Sequence, residues 1–545
     1  METTTRSHPE VETVGVPSLS LPPSRGYRGR MVGVVTIFTF VVSVFGYLRD
    51  ASLAARFGVS STMDAYFGAI FVPSNLYLIL VVGTLSPIFI PILLQEEAAE
   101  DRATVVKTFS VVTSFIFLMM VMLVTVGMVT AHRWLPLFFP GFDEATSALA
   151  LRLTYIILPA IVFLALAGIF TSALNAYHKF ALAAFAPAIS SIAIISATLS
   201  FRGERAIYAI AIATTVGFVS QCLLLLPAVR RLGLGYRPIV DFRHPAIAKL
   251  LRLGAPLLSY LAIGAISLLV ERNLASRLSA GAVAAITYAI RLFAVPSTLL
   301  AAPLGIVSYP QFARVAIQRD HSDLSNQISR TLRMVVFLFL PITIWIILNA
   351  LPVTRLLYER GQFHPQDSIL ISTVLSLYGM GILPVAVGGI LLRCFYAVQD
   401  TVTPLIAEAI NLGLYVFAAR LLSSRFGIDG LATSRALSFF LVASILVLVL
   451  WKKKRLLQIN SGFAGFLART AVASSVMGMV SWVSLHFLYS SFDAGRALLR
   501  LAVVCIVLIV SGVSFLGVAR LLRIPEAELL VNMARELRAP KFMRP

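Results

Sequence analysis

Long apolar stretches separated by short polar connections run along almost the whole chain. Most are roughly 18 to 28 residues long, the length that an α-helix needs to cross a bilayer. Their residues are continuously apolar rather than alternating, which argues against a membrane β-barrel. The pattern predicts an all-α, polytopic membrane protein of about fourteen transmembrane helices, at 31–50, 65–94, 105–131, 148–174, 181–200, 206–229, 247–272, 282–312, 334–352, 369–395, 402–420, 428–451, 463–488 and 497–521.

The polar residues between these stretches reveal an internal repeat. The sequence LAAR that ends at Arg56 recurs as LASR ending at Arg277, and PSNL from Pro73 recurs as PSTL from Pro296. Repeated halves in a membrane protein usually enclose a pathway, so the repeat indicates a transporter. The predicted organisation is a disordered cytoplasmic tail at 1–30, six-helix lobes at 31–230 and 247–455, two additional helices at 456–522 and a basic cytoplasmic tail at 523–545.

The composition supports a membrane protein. Hydrophobic residues make up 58% of the chain and charged residues 13%, and the mean hydropathy is +0.89. Soluble domains carry nearer a quarter charged residues. The sequence has no P-loop, and its three cysteines show neither metal-ligand nor disulfide spacing. We therefore expect a transporter rather than an enzyme, with no cofactor beyond coupling to a monovalent cation or to the membrane potential.

The net charge of +20 has an explanation that does not require nucleic acid. Most basic residues, including the run Lys452–Arg455, lie in connections that share one side of the predicted topology. By the positive-inside rule this side is the cytoplasm, and the even number of helices places both termini there. The apolar run that starts at Met31 is too long for a signal peptide. Residues from Ile524 onward show helical spacing of leucines, which predicts either a short interfacial helix or a frayed tail.

Charged side chains inside apolar segments mark candidate sites, because charge in the hydrocarbon region usually faces a cavity or a partner. Arg291, on the eighth predicted helix, is the clearest case, and it either lines a cavity or forms a structural pair with a nearby acid. Arg49 and Asp50 end the first predicted helix, and Asp64 opens the second. Two interpretations of Arg49, Asp50 and Asp64 stay open. They form either a solvated loop in which Asp64 caps a helix start, or a polar mouth on the outer side.

Acidic residues near predicted helices 7 and 11 suggest an ion-coupling site. Glu271 lies near the outer end of helix 7, while Glu408 and Asn411 are three residues apart and share one face of helix 11. A carboxylate with an amide oxygen nearby can bind a monovalent cation or carry a proton. The alternatives are structural ion pairs, namely Glu271 with Arg272 and Glu408 with Arg435 or Lys179.

Prolines and glycines occupy equivalent places in helices 2 and 8. Pro73 and Gly83 lie in helix 2, and Pro296 and Gly305 lie in helix 8. Proline removes a backbone hydrogen bond and can kink a helix. We expect both helices to bend and to act as gates for alternating access.

Several stretches resemble the MurJ/MviN lipid II flippases, which belong to the multidrug/oligosaccharidyl-lipid/polysaccharide exporter superfamily. The likeness runs in order from about residue 33 to 520. The stretches are GYLRD (46–50), AARFG (54–58), DAYF (64–67), ALN (173–175), AFAP (184–187), YAIRL (288–292) with Pro296, LYERGQF (357–363) and FYAVQD (395–400) with Thr403 and Pro404.

This resemblance implies two six-helix lobes around a cationic cavity, with two extra helices forming a lipid-accessible groove. It implies movement of lipid II, an undecaprenyl-diphosphate-linked peptidoglycan precursor, across the bacterial inner membrane for cell-wall synthesis. Arg49 and Arg291 would attract the diphosphate, because arginine binds phosphate oxygens with several donors, and Asp64 would hold or orient them. The implied partners are the lipid-linked oligosaccharide, membrane lipids and cell-wall synthesis proteins.

The chain departs from the family pattern at cavity positions. The family usually has an arginine, a basic pair and an acid at positions that are here Ser43, Tyr77 with Leu78, and Val82. A sodium site of some members does not map cleanly, because the matching face of helix 11 carries Tyr415 and Ala419. Three alternatives therefore remain: a flippase for another polyprenyl-linked glycan such as an exopolysaccharide or O-antigen lipid, a transport-inactive envelope scaffold, and a small-molecule antiporter.

Overall fold

The computed structural model describes residues 25–79, 86–98, 102–318, 321–453, 456–457, 461–491 and 497–529, and these residues form helices and no strands. The predicted all-α class is confirmed. The helices are α1 (Arg25–Phe57), α2 (Ser61–Tyr77), α3 (Ser86–Ala98), α4 (Arg102–Val129), α5 (Ala131–Phe138), α6 (Glu144–Ile157), α7 (Ala160–Ala176), α8 (Phe180–Phe185), α9 (Pro187–Ser200), α10 (Arg205–Arg231), α11 (Pro245–Ser276), α12 (Ala282–Pro296), α13 (Ala302–Ile317), α14 (His321–Tyr358), α15 (Pro365–Gly379), α16 (Ile382–Ala397), α17 (Val402–Leu448), α18 (Ser461–Ser491) and α19 (Ala497–Leu521).

The helices confirm a multi-pass membrane protein. Within the described ranges, nine helices are long and apolar enough to cross a bilayer, and the number rises to eleven when each of two bent helix pairs counts as one span. The count of fourteen stays a prediction. The sequence did not predict α5, which is too short to span and lies between α4 and α6.

Several predicted spans are broken in the structure. The predicted spans 148–174 and 369–395 are bent pairs, α6 with α7 at 45° and α15 with α16 at 41°. In the eighth span, α12 ends at Pro296 and a π-helical turn, Ser297–Ala301, connects it to α13. Proline lacks the amide that would continue the α-helical ladder, and a π-turn accommodates the mismatch. The π-turn lies where helix 8 is expected to bend, and the bend itself stays a prediction.

Two predicted spans, 402–420 and 428–451, join without a loop. They form α17, whose one non-helical residue is Gly427 with φ 57° and ψ −132°. This positive φ is strained for any residue that carries a Cβ, so glycine suits the kink. The kink folds the second part of α17 back beside the first, since Asn411 and Ser438 are hydrogen-bonded partners.

Three groups of buried apolar residues hold the helices together. The first joins the two repeated halves and includes Tyr66 of α2 and Tyr288 of α12. The second lies mainly in α3, α4, α7 and α10, with Ala183 of α8 and Ala246 and Leu250 of α11 added. The third packs α14 against α18 and α19 through Phe337 and Phe515. Because lipid is as apolar as these side chains, close packing rather than exclusion from water stabilises such contacts.

Parts of the predicted tails lie outside the described residues, namely 1–24 and 530–545. At the C-terminal side, residues 525–529 are helical. Ile524 and Ala527 are buried in the third group, beside α14, α18 and α19. The start of the predicted interfacial helix is thus attached to the appended helices.

Candidate functional site

An ion-paired cluster joins the first helix of one half to a helix of the other half. Arg49 donates to Asp50 Oδ1 through Nε at 2.9 Å and Nη2 at 2.8 Å. Arg291 Nε lies 3.5 Å from Asp50 Oδ2. The Tyr47 hydroxyl donates to the backbone carbonyl of Arg291 at 3.5 Å, which fixes α1 against α12. One carboxylate therefore serves two arginines, and the cluster keeps a net positive charge.

The two arginines differ in exposure. The Asp50 side chain is 5% exposed and that of Arg49 is 20% exposed, whereas Arg291 is 50% exposed. The nearest approach of Arg291 to Asp50 is through Nε. Its guanidinium is the best placed of the cluster to bind a second anion, since a planar fork of donors suits phosphate oxygens.

Asp64 lies away from this cluster, at the N-terminal end of α12. Its carboxylate accepts hydrogen bonds from the backbone amides of Gly281 at 2.6 Å and Ala284 at 2.7 Å. The N-cap of α12 is Gly281, which has φ 86° and no side chain to satisfy these amides. Asp64 thus caps a helix of the opposite half. The structure does not bring it to the arginines, and Asp50 takes the orienting position expected for Asp64.

Further cross-half contacts close the molecule at the Asp64 end. Gln362 N donates to the carbonyl of Ala55 at 2.8 Å, and Asn273 Nδ2 donates to the carbonyl of Leu137 at 2.9 Å. Gly361, with φ 61°, lies so close to the Ala55 carbonyl that no Cβ would fit. Backbone contacts of this kind require the two halves to meet directly, so no passage opens between them at these points.

The predicted ion-coupling residues belong to a second polar cluster, inside the second half. Glu271 is buried, and its Oε1 accepts from Arg435 Nε at 2.9 Å and from the Tyr378 hydroxyl. Asn411 donates to Glu408 Oε1 at 3.4 Å and accepts from the Ser438 hydroxyl at 2.8 Å. The three predicted residues therefore line one cavity.

The alternative ion pairs proposed from the sequence are not the observed ones. Glu271 pairs with Arg435 rather than with its neighbour Arg272, whose Nη1 donates to the Val283 carbonyl at 3.0 Å. Arg435 consequently does not pair with Glu408. The pair joins α11 to the second part of α17, and this packing is not visible from residues so far apart in the sequence.

The chain is similar to known proteins along most of its length. The model of the family "Lipid II flippase MurJ" matches residues 53–503. The chain belongs to this family. The family resemblance of the motifs is confirmed, and the family is one of transporters rather than enzymes.

Individual relatives agree with the family match. The lipid II flippase MurJ of Burkholderia cenocepacia is 28% identical over 502 residues, which cover 90% of this chain and 96% of the relative. The probable lipid II flippase MurJ of Vibrio cholerae is 26% identical over 464 residues, or 82% of this chain and 88% of the relative.

Solved structures show the same fold. The structure titled "Lipid II flippase MurJ, inward closed conformation" has a TM-score of 0.75 at 23% identity, covering 89% of this chain and 98% of that one. An inward-facing multidrug resistance MATE transporter of the MOP superfamily has a TM-score of 0.62 at 16% identity, covering 79% of this chain and 99% of that one.

The appended helices α18 and α19 form an apolar groove with the second half. A cavity of about 590 Å³ lies between α12, its π-turn, α14 and these helices. Leu299, Trp345, Met477 and Phe515 line it. A groove of this size and character can hold part of a lipid chain.

The positions at which this chain departs from the MurJ pattern carry no charge in the structure. The Ser43 hydroxyl donates to the Thr39 carbonyl within α1 at 2.9 Å. Tyr77 packs against the second apolar group, and Leu78 is exposed. Val82 lies outside the described residues. Arg49 and Arg291 thus remain in the cluster without the additional basic residues typical of the family.

Proposed function

We propose that this protein is a flippase that moves lipid II across the bacterial cytoplasmic membrane by alternating access of its two halves. Membership of the lipid II flippase MurJ family supports the substrate. The observation that carries the mechanism is the Arg49–Asp50–Arg291 cluster, because it joins the halves and keeps an excess positive charge.

In this proposal the diphosphate binds first at Arg291. The Arg291 guanidinium is half-exposed and carries five N–H donors, more than one carboxylate accepts. An approaching diphosphate would compete with Asp50 for Arg291 and Arg49, and this exchange would loosen the link between α1 and α12. The polyprenyl chain would stay in lipid or in the groove beside α18 and α19, so that only the polar headgroup crosses between the halves.

The conformation in the structure is closed at the Asp64 end. Release of the substrate there requires the Asp64 cap and the Gln362–Ala55 contact to break together. We place this end at the outer face and both termini in the cytoplasm, in accord with the positive-inside rule. Reporter-enzyme fusions at the loop near Gly203 and at the C-terminus test this orientation.

Complementation tests the proposed function. The chain is expressed in cells whose own lipid II flippase can be shut off, beside Arg291→Ala, Arg291→Lys and Arg277→Ala versions. Arg277 is an exposed arginine just before α12 and serves as the matched control. We expect rescue by the native chain and the Arg277→Ala version, weaker rescue by Arg291→Lys and none by Arg291→Ala.

Other outcomes point to the remaining alternatives. Failure of the native chain, with confirmed membrane expression, contradicts lipid II transport and favours another polyprenyl-linked glycan, as the uncharged positions Ser43, Tyr77 and Leu78 would suggest. A deletion phenotype that the Arg291→Ala version fully rescues contradicts transport through this cluster and favours a scaffold.

A further inference from the structure

A polar layer crosses the second half, separate from the arginine cluster that would bind the diphosphate. It surrounds a cavity of about 470 Å³. Its polar lining comes from α11, α15 and both parts of α17, and consists of Ser267, Glu271, Tyr378, Glu408, Asn411, Arg435 and Ser438. Polar groups at this depth are costly unless they serve a function or are fully paired.

The charge of Glu271, one of the two carboxylates in the layer, is neutralised by Arg435. Arg435 Nε donates to Glu271 at 2.9 Å, its Nη1 donates to the Ser267 hydroxyl at 2.8 Å and its Nη2 to the Ser267 carbonyl at 3.0 Å. The guanidinium also lies 3.9 Å from the ring centroid of Tyr415. Arginine does not lose its proton in proteins, so Glu271 already has a fixed cation beside it.

Glu408 has no such cation. Its Oε1 accepts one hydrogen bond, from the Asn411 amide at 3.4 Å. Among the described residues, no lysine, arginine or histidine lies within ion-pair distance of it; Arg435 is bound to Glu271 instead. The cavity thus holds two carboxylates and one guanidinium, and a single positive charge would balance it.

The surroundings of Glu408 suit a proton better than a metal ion. A hard cation needs several oxygen ligands, whereas a proton needs only one carboxylate oxygen. The Asn411 carbonyl oxygen already accepts the Ser438 hydroxyl.

We propose that Glu408 is a proton-binding site, and that Arg435 excludes a metal cation by acting as the tethered cation of Glu271. The charged and titratable groups that face Glu408 are Glu271 from α11, Tyr378 from α15 and Arg435 from its own helix. The cavity faces of α12 and α16 are apolar, with Ile290, Phe293 and Leu392 among their residues, or glycine.

This site can couple proton binding to the packing of the second half. Glu408 lies on α17, which is hydrogen-bonded across Gly427 to its own second part and, through Arg435, to α11. Binding or release of a proton at Glu408 therefore changes the charge of the layer that ties these helices together. The coupling of this proton to lipid movement rests on the proposed function, but proton binding itself does not.

Infrared difference spectroscopy across pH measures the site directly. The full-length protein in lipid nanodiscs is titrated in sodium-free buffer, and the carbonyl stretching band of a protonated carboxyl group is followed. The other carboxyl groups also titrate, so we expect one component of the carboxyl band to be lost in Glu408→Gln, which has the shape of the protonated side chain and should fold. The band should remain in Glu97→Gln, which changes an acid at the end of α3 and serves as the control.

Two further arms can overturn the assignment. Addition of NaCl instead of choline chloride should leave the titration midpoint unchanged; a shift of the midpoint to lower pH with Na⁺ shows that the metal competes for the site and contradicts the proposal. Loss of the band in Glu271→Gln, with retention in Glu408→Gln, assigns the proton to Glu271 and also contradicts it.

Transport in proteoliposomes separates this inference from the proposed function. With fluorescent lipid II as the probe, we expect flipping by the native chain to respond to a pH gradient and not to a sodium gradient, and Glu408→Gln to lose the pH response. A titrating band without any lipid II flipping supports the proton site and contradicts the proposed substrate. Flipping that retains its pH response in Glu408→Gln contradicts the coupling.

Discussion

Asp64, near the start of α2, caps α12 through the backbone amide of Gly281, which begins the equivalent helix of the other half. Within its own half, α2 has an ordinary cap, because the Ser60 hydroxyl accepts from Met63 N at 3.4 Å. At the equivalent place α12 has glycine, and the missing cap comes from across the repeat. The N-terminal amides of α12 are therefore capped only while the two halves are in contact.

The first prediction follows from this cap. Asp64→Ala should weaken the closed state by roughly 1–2 kcal/mol, the range of lost helix caps, and Asp64→Asn should have a smaller effect because it keeps an acceptor. Hydrogen–deuterium exchange of the peptide from 278 to 290 measures it. Asp143→Ala is the control, since Asp143 caps α6 within one half by accepting from Thr146 N. Faster exchange near α12 in the control as well would contradict a specific cross-half cap.

A cross-link should lock the same end of the molecule. Gln362 N and the Ala55 carbonyl are 2.8 Å apart, so cysteines at these two positions lie on adjoining backbones. We expect the pair Ala55→Cys with Gln362→Cys, in a Cys505→Ser background, to lose lipid flipping on oxidation and to regain it on reduction. Each single cysteine variant is the control. Full activity of the oxidised, cross-linked protein would show that this end does not open during transport.

Removal of one partner of the buried Glu271–Arg435 pair should destabilise the protein more than replacement of both by apolar residues. Removal of one partner leaves an unpaired buried charge, so Glu271→Ala or Arg435→Ala should each destabilise the protein by roughly 3–5 kcal/mol. The double variant Glu271→Leu with Arg435→Met should cost less than the sum of the two. Thermal unfolding in detergent measures all three.

An exposed pair provides the reference for that series. Glu97 and Arg102 are 3.7 Å apart with both side chains more than 40% exposed, so removal of the Glu97 carboxylate should cost no more than about 1 kcal/mol. If the Glu271 and Arg435 variants behave like the Glu97 variants, the buried pair does not stabilise the second half.

The groove beside the appended helices can be filled without disturbing the packing. Gly512 of α19 lines the groove, and nothing lies within 4 Å of where its Cβ would be. We expect Gly512→Phe to reduce flipping of lipids with long polyprenyl chains and to spare a short-chain analogue. Gly517→Phe is the matched control, because this position is equally open but does not line the groove. Equal loss with both lipids would indicate a folding defect instead.

Much of the architecture follows from the sequence, because the bilayer allows few solutions. A run of apolar residues such as 105–131 must satisfy its own backbone in lipid, and a helix is the available way to do so. The repeat anchors at Arg56 and Arg277 predicted two halves of a transporter, and the ordered set of motifs from about residue 33 to 520 predicted the family. The length of each apolar run and the order of the motifs can be read from the sequence without knowledge of the packing.

The partners of the charged residues were decided by tertiary structure. Asp50 rather than Asp64 reaches Arg291, and Glu271 pairs with Arg435 rather than with Arg272. Such pairs join residues 241 and 164 positions apart, and sequence spacing carries no distance information at that range. Their selection depends on how α1 meets α12 and on the kink at Gly427. The sequence by itself thus determined the helices and their polar residues, while packing of the two halves determined which charges meet.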